Sequence, residues 1–275
     1  MEKWVKRPMR FFKDTYYMLW RETKAFFRWK EWIIADLFGS LMWFIGFIIV
    51  WRAILAGGFT EFGGLTRENY IPFLLSGSLL AQLMFTAFGW GALNTFLHEK
   101  NMRTIQYLLI SPMNKYSIAA GKIIIPIIRT GMINVVIVSV ASAFFGFVFK
   151  GSILLVFLVY LIAFIGFFAL SLIIASLTLW REGFGDASWV LGEALTVFSG
   201  TMYPIQILPS GIREISMMLP TTRSVLALRE ILVFGKGLDG IMGHLAYLSA
   251  FAIVSMALAV KTFKFVQKKA MLVGI

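Results

Sequence analysis

Long apolar runs, separated by short polar and basic blocks, dominate the chain. Each run can supply the about 20 residues with which an α-helix crosses the hydrocarbon of a bilayer. The runs are continuous rather than alternating, which argues against the strands of a membrane barrel. The pattern predicts an all-α integral membrane protein with six spans, at about 32–51, 69–97, 118–149, 151–180, 186–205 and 241–260.

In the first 31 residues, aromatic and charged positions recur with the period of an amphipathic helix. Aromatic side chains share one face of a predicted helix from Arg10 to Arg28, and charged side chains share another. Such a helix is typical of the membrane interface. The alternative is an ordinary amphipathic helix packed on soluble protein. The aromatic face contains Phe12, Tyr16, Leu19, Trp20, Thr23 and Phe27, and the charged face contains Arg10, Asp14, Arg21, Lys24 and Arg28.

Composition supports the membrane assignment. Hydrophobic residues make up 59% of the 275 residues and charged residues only 15%, whereas about a quarter of a soluble domain is charged. The chain has no cysteine, which excludes disulfides, thiolate metal sites and a cysteine nucleophile. The net charge of +12 lies in short blocks between the apolar runs. That placement favours a membrane surface over nucleic acid as the partner.

The basic residues also predict the orientation. Six spans place both termini on one side, and that side carries eighteen Lys and Arg against seven on the other. Basic loops face the cytoplasm, so we expect a multi-pass protein of the plasma membrane with both termini cytoplasmic. The chain reads as a single domain, 1–275, made of a cytoplasmic helix (1–31), the six-span region (32–265) and a tail (266–275).

The loop after the second span predicts a short amphipathic helix. Met102, Ile105, Leu108 and Leu109 can share one face of it. Pro112 ends it, since the residue before a proline avoids the α conformation. The alternative is a simple connector.

The segment after the fifth span is apolar but contains helix-breaking residues. Gly200 is followed by Pro204, Pro209 and Pro220 within a short stretch that stays apolar to Ile212. Prolines prevent one long helix here. We expect short re-entrant helices that dip into the outer leaflet and are buried against protein. An ordinary outer loop is the alternative.

Three charged residues fall within or near predicted spans. Charges at membrane depth are unfavourable unless they are paired or hydrated. Arg129 and Glu193 each lie about two turns into a span, and a structural Arg129–Glu193 pair is one hypothesis. The other is that either residue lines a hydrated substrate path. Asp36 lies close enough to the interface to be a capping or snorkelling group.

With these segments in place, the chain resembles the type-2 permeases of ABC exporters over nearly its whole length. The basic N-terminal helix precedes the first span. The Glu99–Pro112 loop, continuing to Gly121-Lys122, is similar to the family's coupling-helix region. The residues Phe198-Ser199-Gly200, Pro204, Leu208-Pro209, Leu219-Pro220 and Leu228-Arg229 are similar to the signature around its outer helices. The order and spacing of these motifs within a six-span chain carry the resemblance.

The resemblance implies a division of labour. Two permease subunits, identical or different, would form the path, and two cytoplasmic ATPase subunits would bind ATP and Mg²⁺. The ATPase-coupling residues would be Glu99, Lys100, Arg103, Ile105, Leu108, Leu109 and Pro112. The N-terminal helix would clamp the same partner through Arg10, Arg21, Lys24 and Arg28. The substrate would be hydrophobic or amphipathic: a drug, a lipid or a lipid-linked glycan.

No G-x-x-x-x-G-K-[ST] phosphate loop occurs in the sequence. We therefore expect that this chain does not bind ATP by itself. The resemblance implies that its partners are the ATPase, a second permease and lipids, and we expect no cofactor, metal or catalytic residue in this chain and no nucleic acid as partner. Two alternatives belong to other classes. A polytopic enzyme acting on lipids would need a nucleophile or clustered acids, and the acids here are dispersed. An ion-coupled transporter would often show inverted repeats, and none is visible.

Overall fold

The computed structural model describes residues 8–28, 30–57, 61–62, 65–91, 99, 101–102, 104, 107, 111–148, 150–180 and 183–273. Long helices dominate these residues. They are α1 (Pro8–Arg28), α2 (Lys30–Ala56), α3 (Tyr70–Phe85), α4 (Lys115–Phe145), α5 (Ile153–Trp180), α6 (Gly183–Phe198), α7 (Ser210–Met217), α8 (Pro220–Leu232) and α9 (Leu238–Val273). A π-helical turn, Thr86–Gly91, continues α3, and a 3₁₀ turn, Ile205–Ile207, precedes α7. A small antiparallel hairpin, β1 (Glu61–Phe62) with β2 (Leu65–Thr66), joins α2 to α3.

Five helices in the described part of the chain are long and apolar enough to cross a membrane. Their candidate spans are Ile33–Ala56, Tyr70–Gly89, Tyr116–Phe145, Ile153–Thr178 and Leu238–Val266. These match the first four and the last of the predicted spans, and they confirm an all-α membrane protein.

The predicted fifth span has the wrong C-terminal bound. The sequence predicts a helix to Ile205, but α6 has 16 residues and ends at Phe198. It ends there because Gly200 adopts a left-handed conformation with φ +65°, which ends a helix and favours glycine. The apolar part of α6 is Ala187–Phe198, which is shorter than the other candidate spans.

Helix α3 lies at the centre of the bundle and α2 at its edge. Side chains of α3, such as Leu80 and Met84, join an apolar core with α4, α5, α8 and α9. On its other side, Leu75 joins a second core with Phe44 and Ile48 of α2. Because α2 is apolar all round but contacts the bundle on one side only, its remaining surface faces lipid or another subunit.

The two ends of the bundle are defined by side-chain contacts. At one end, the rings of Tyr116 (α4) and Phe263 (α9) lie 4.6 Å apart, and α1 packs beside the start of α4. At the opposite end, the indole N–H of Trp51 in α2 donates to the Met202 carbonyl over 3.0 Å. The N-terminal helix and the C-terminal part of α9 therefore lie at the same end, called the α1 end below.

Helix α6 runs antiparallel to α3. Near its start, the Ser188 hydroxyl donates to the carbonyl of Phe88, in the π-helical turn. Beyond its end, the backbone at Thr201 lies against Gly77, earlier in α3. The chain thus moves away from the α1 end along α6.

Helices α7 and α8 form a hairpin whose bend lies against α9. At the bend, the Met218 carbonyl accepts a hydrogen bond from the Tyr247 hydroxyl, two to three turns into α9. At the far end of α8, Ile231 contacts Gly151 in the link between α4 and α5. The short helices predicted between the fifth and sixth spans are therefore present.

Candidate functional site

Helix α1 has three faces rather than the two that the sequence predicts. Its aromatic side chains Phe12, Tyr16, Trp20 and Phe27 are exposed, as an interfacial helix requires. A separate face packs on α4. There Met18 is buried, and the absence of a side chain at Gly121 permits its close approach, because a Cβ on Gly121 would lie 2.5 Å from the Met18 Cβ.

Polar contacts fix the same packing of α1 on α4. The Asp14 carboxylate accepts the backbone N–H of Asn114 over 2.8 Å, and the Ser117 hydroxyl donates to the Phe11 carbonyl over 3.0 Å. Asp14 is buried. The sequence groups Asp14 with basic residues on one charged face of α1, and this grouping does not reveal that the start of α4 covers Asp14.

A group of four charged side chains joins α1, Glu99 and α4. The Glu99 carboxylate is 3% exposed and receives Lys122 Nζ at 2.6 Å and Arg21 Nη2 at 3.0 Å. The Thr104 hydroxyl donates to its second oxygen. Glu22 lies 3.4 Å from the Lys122 ammonium. We call Arg21, Glu22, Glu99 and Lys122 the charge cluster.

The charge cluster keeps Glu99 ionised. Burial acts to raise the pKa of the Glu99 carboxyl, but the hydrogen bonds from Lys122 and Thr104 and the charges of Lys122 and Arg21 act against burial and lower it from 4.5 to about 2. The carboxylate therefore carries a full charge near neutral pH. Its contacts are to this chain's own residues, so its direct effect is to hold α1 and the loop after α3 against α4.

The remaining predicted coupling residues lie mainly beyond the described residues. Lys100, Arg103, Ile105, Leu108 and Leu109 belong to that group. Pro112 is described and exposed. Two apolar side chains of the same loop are strongly exposed, Met102 at 62% and Tyr107 at 77%. The described part of the loop thus turns its carboxylate inward and two large apolar side chains outward.

The predicted clamping residues of α1 are spread around the helix. Arg21 joins the charge cluster, and Lys24 holds its ammonium 3.8 Å from the centre of the Trp20 ring. Arg28 is exposed at the end of α1. The side chain of Arg10 lies outside the described residues. Among the predicted clamping residues whose side chains the structure describes, Lys24 and Arg28 therefore remain available to a partner.

At the opposite end, a buried arginine holds the turn after α6. Arg229 of α8 is 5% exposed, and its Nη2 donates to the Gly200 carbonyl over 2.6 Å and to the Thr201 carbonyl over 3.1 Å. Its guanidinium lies 3.5 Å from the centre of the Phe73 ring of α3. We call Arg229, Gly200, Thr201 and Phe73 the arginine anchor.

Proline positions shape the outer segment. Pro204 precedes the 3₁₀ turn, Pro209 precedes α7, and Pro220 is the first residue of α8. Proline suits the first turn of a helix because its missing N–H has no helical partner there. The helix-breaking signal in the sequence therefore marks where short helices begin.

The predicted pair between Arg129 and Glu193 is wrong. Arg129 Nε lies 3.2 Å from Asp36 Oδ2 of α2, and its guanidinium carbon is 5.5 Å from the centre of the Phe26 ring of α1. Arg129 is directed toward α2 and α1, which pack beside α4. Asp36 is consequently a partner of an intramembrane arginine rather than a capping group.

A set of polar links around the π-helical turn has no signal in the sequence. The hydroxyls of Thr86 and Thr130 lie 2.6 Å apart, and Ser171 of α5 donates to the Ala87 carbonyl over 2.7 Å. A π-helical turn shifts the usual hydrogen-bond ladder, and here side chains of α5 and α6 satisfy its carbonyls. The turn therefore has a fixed position between α4, α5 and α6.

A cavity of about 310 Å³ opens beside this turn, between α2, α3, α4 and α6. Its lining includes Asp36, Gln82, Thr130 and Glu193. Asp36 lies two turns into α2, so the cavity reaches into the half of the bundle nearest the α1 end. The volume falls in the range of small-molecule sites.

These features define a multi-pass helical membrane protein with an interfacial helix at one end and a helical hairpin at the other. Residues 59–261 match the family model described as ABC-2 family transporter protein. The chain belongs to this family, whose members are the type-2 permease subunits of ABC transporters. No curated protein matches the chain significantly. The family implies a membrane subunit for transport that associates with an ABC ATPase subunit.

Proposed function

We propose that the chain is the permease subunit of an ATP-driven exporter that moves a hydrophobic or amphipathic substrate outward. A separate ATPase subunit supplies the energy and carries the ATP and Mg²⁺. The family match over residues 59–261 is the observation on which this proposal rests. The apolar cavity wall and the interfacial helix support a substrate that partitions into the membrane.

The proposal includes six crossings. Since α1 and the end of α9 share one end of the bundle, the chain crosses an even number of times. Five candidate spans leave one crossing for α6, which leads away from the α1 end. Its 16 residues cover about 24 Å, somewhat less than the hydrocarbon. The turn after α6 and the α7–α8 hairpin would span the rest of the hydrocarbon thickness. This supports re-entrant helices in the outer leaflet.

The orientation follows from the α1 end. This end holds the basic residues of α1 and of the loop before α4, and basic segments face the cytoplasm. We therefore place the α1 end, with both termini, on the cytoplasmic side of the plasma membrane. The arginine anchor then lies toward the outer face.

The loop from Glu99 to Pro112 is the proposed contact for the ATPase, with one change of role. Glu99 contacts Lys122 and Arg21 within this chain, so it positions the loop. Met102 and Tyr107 are exposed and are the described side chains that best fit a groove on the partner. Lys24 and Arg28 of α1 lie on the same side and support a clamping role.

A complex with two ATPase subunits and a second permease follows from the family resemblance. The exposed side of α2 supports the second permease, since Gly46 leaves open space beside that helix. The second copy is either identical or a sister chain.

Capture of the tagged full chain from its native membranes in mild detergent tests the proposal. We expect an ABC ATPase subunit to be captured with the wild type and lost from the double variant Met102→Asp, Tyr107→Asp. The control is Phe234→Asp, since Phe234 is 61% exposed in the link between α8 and α9, away from the loop. Mass spectrometry identifies the partner.

The outcomes separate the two parts of the proposal. If the wild type captures no ATPase subunit while it elutes as a folded protein, the exporter function is wrong. If the double variant captures as much ATPase as the control does, the exporter stands and the contact lies elsewhere.

A further inference from the structure

The cavity between α2, α3, α4 and α6 has an acidic lining. Two carboxylates, those of Asp36 and Glu193, line it, and no lysine or arginine does so among the described residues. Asp36 is compensated by Arg129 at 3.2 Å. The net charge of the lining therefore depends on Glu193.

Glu193 has no charged partner in the described part of the chain. No salt bridge or hydrogen bond joins its side chain to a described residue, and its side chain is exposed to the cavity side of α6. A carboxylate within a span is unfavourable unless it is paired or hydrated. The site thus offers one uncompensated negative charge.

The other walls suit an apolar ligand body. Trp43 of α2 and Phe85 of α3 line the cavity, and aromatic faces attract organic cations. An apolar body with one positive charge matches these aromatic walls and the Glu193 carboxylate.

We propose that this cavity is a binding site for amphipathic organic cations and that Glu193 is their counter-ion. The inference rests on the proposed function, because it names the substrate class of the same exporter. An anionic ligand would face an uncompensated carboxylate, and a neutral ligand would leave that carboxylate unpaired. The cytoplasmic half of the bundle is where an exporter collects its substrate.

A matched pair of probes tests the proposal. Tetraphenylphosphonium and tetraphenylborate have almost the same shape and opposite charge. Binding of each is measured by isothermal titration to the purified full chain, with any co-purifying subunits, in phosphatidylcholine nanodiscs. We expect saturable binding of the phosphonium that weakens at least tenfold in Glu193→Gln. Partition into lipid is common to wild type and variant and does not contribute to the difference.

Two further variants sharpen the test. Glu214→Gln changes an exposed glutamate on α7 and should leave phosphonium binding unchanged. Glu193→Lys should reverse the preference, so that the borate binds more tightly than the phosphonium. Equal phosphonium binding by the wild type and Glu193→Gln, or no saturable binding by the wild type, would overturn the proposal.

The test is independent of the exporter function itself. Capture of the ATPase subunit depends on the loop after α3 and not on the cavity. If the ATPase is captured but the phosphonium does not bind, the cation site is wrong and the exporter stands. If the phosphonium binds through Glu193 but no ATPase is captured, the cation site stands and the energy source is wrong.

Discussion

The two ends of the bundle each bury a charged side chain, but they stabilise it in different ways. In the charge cluster, Glu99 is met by the two cations Lys122 and Arg21. In the arginine anchor, Arg229 has no carboxylate within reach among the described residues and binds two backbone carbonyls. One site is an ion-pair network between side chains, and the other is a set of hydrogen bonds from one side chain to the backbone of a turn.

The difference indicates what each end does. In the charge cluster, side-chain charges hold α1 and the loop after α3 against α4. The arginine anchor instead requires the left-handed Gly200 and the close approach of Gly77 to Thr201. The outer turn is therefore held against α3 by the shape of the backbone, and the α1 end is held together by side-chain charge.

The largest effect is expected from a substitution that disrupts the packing of the outer turn on α3. A Cβ at Gly77 would lie 1.7 Å from the Thr201 carbonyl oxygen, so Gly77→Ala forces α3 and the turn apart. We expect a loss of about 3 kcal/mol or more, seen as aggregated protein in size-exclusion chromatography. Gly39→Ala is the control, because nothing lies within 4 Å of its Cβ position. A monodisperse Gly77→Ala protein with unchanged Tm would contradict the packing.

A smaller effect is expected from a substitution that removes the charge of the arginine anchor. Arg229→Met keeps much of the side-chain volume but leaves the Gly200 and Thr201 carbonyls without their donor. Buried acceptors without a partner cost about 1–3 kcal/mol each, so for the two carbonyls we expect a loss of at least about 2 kcal/mol and a lower Tm. Arg213→Met, at an exposed position of α7, should have no effect. If both variants melt at the same temperature, the anchor contributes no stability.

The sequence predicts the spans well where length and hydropathy decide. The predicted span 151–180 corresponds to α5, Ile153–Trp180, because a continuous apolar run has no alternative to a helix in lipid. The prediction fails at the end of α6, since a glycine in an apolar run carries no sign of the left-handed conformation that Gly200 adopts. The proline positions did predict the short helices that follow.

The charged contacts were harder to predict, because their partners are distant in sequence. Asp36 and Arg129 lie 3.2 Å apart. The sequence assigns them to two separate spans but does not predict that they pair. The family resemblance pointed to Glu99 and Arg21 individually. It did not reveal that they bind each other and Lys122, since the direction of a side chain depends on how α1 packs against α4.

The smallest effect is a pH dependence that distinguishes the two ends. The pKa of Glu99 is about 2 in the folded protein and 4.5 as its ordinary value. A carboxyl with a lowered pKa stabilises the fold fully above its unfolded pKa and loses that contribution as the pH falls toward the folded value. We therefore expect the Tm difference between wild type and Glu99→Gln to be constant from pH 8 to pH 5 and to shrink by pH 3.

The difference between wild type and Arg229→Met should not change with the ionisation of any carboxylate in the anchor, because the described anchor has none. The Tm values are read from tryptophan fluorescence during heating. A Glu99 difference that already shrinks between pH 8 and pH 6 would mean that the charge cluster does not hold Glu99 ionised, and the contrast between the two ends would then disappear.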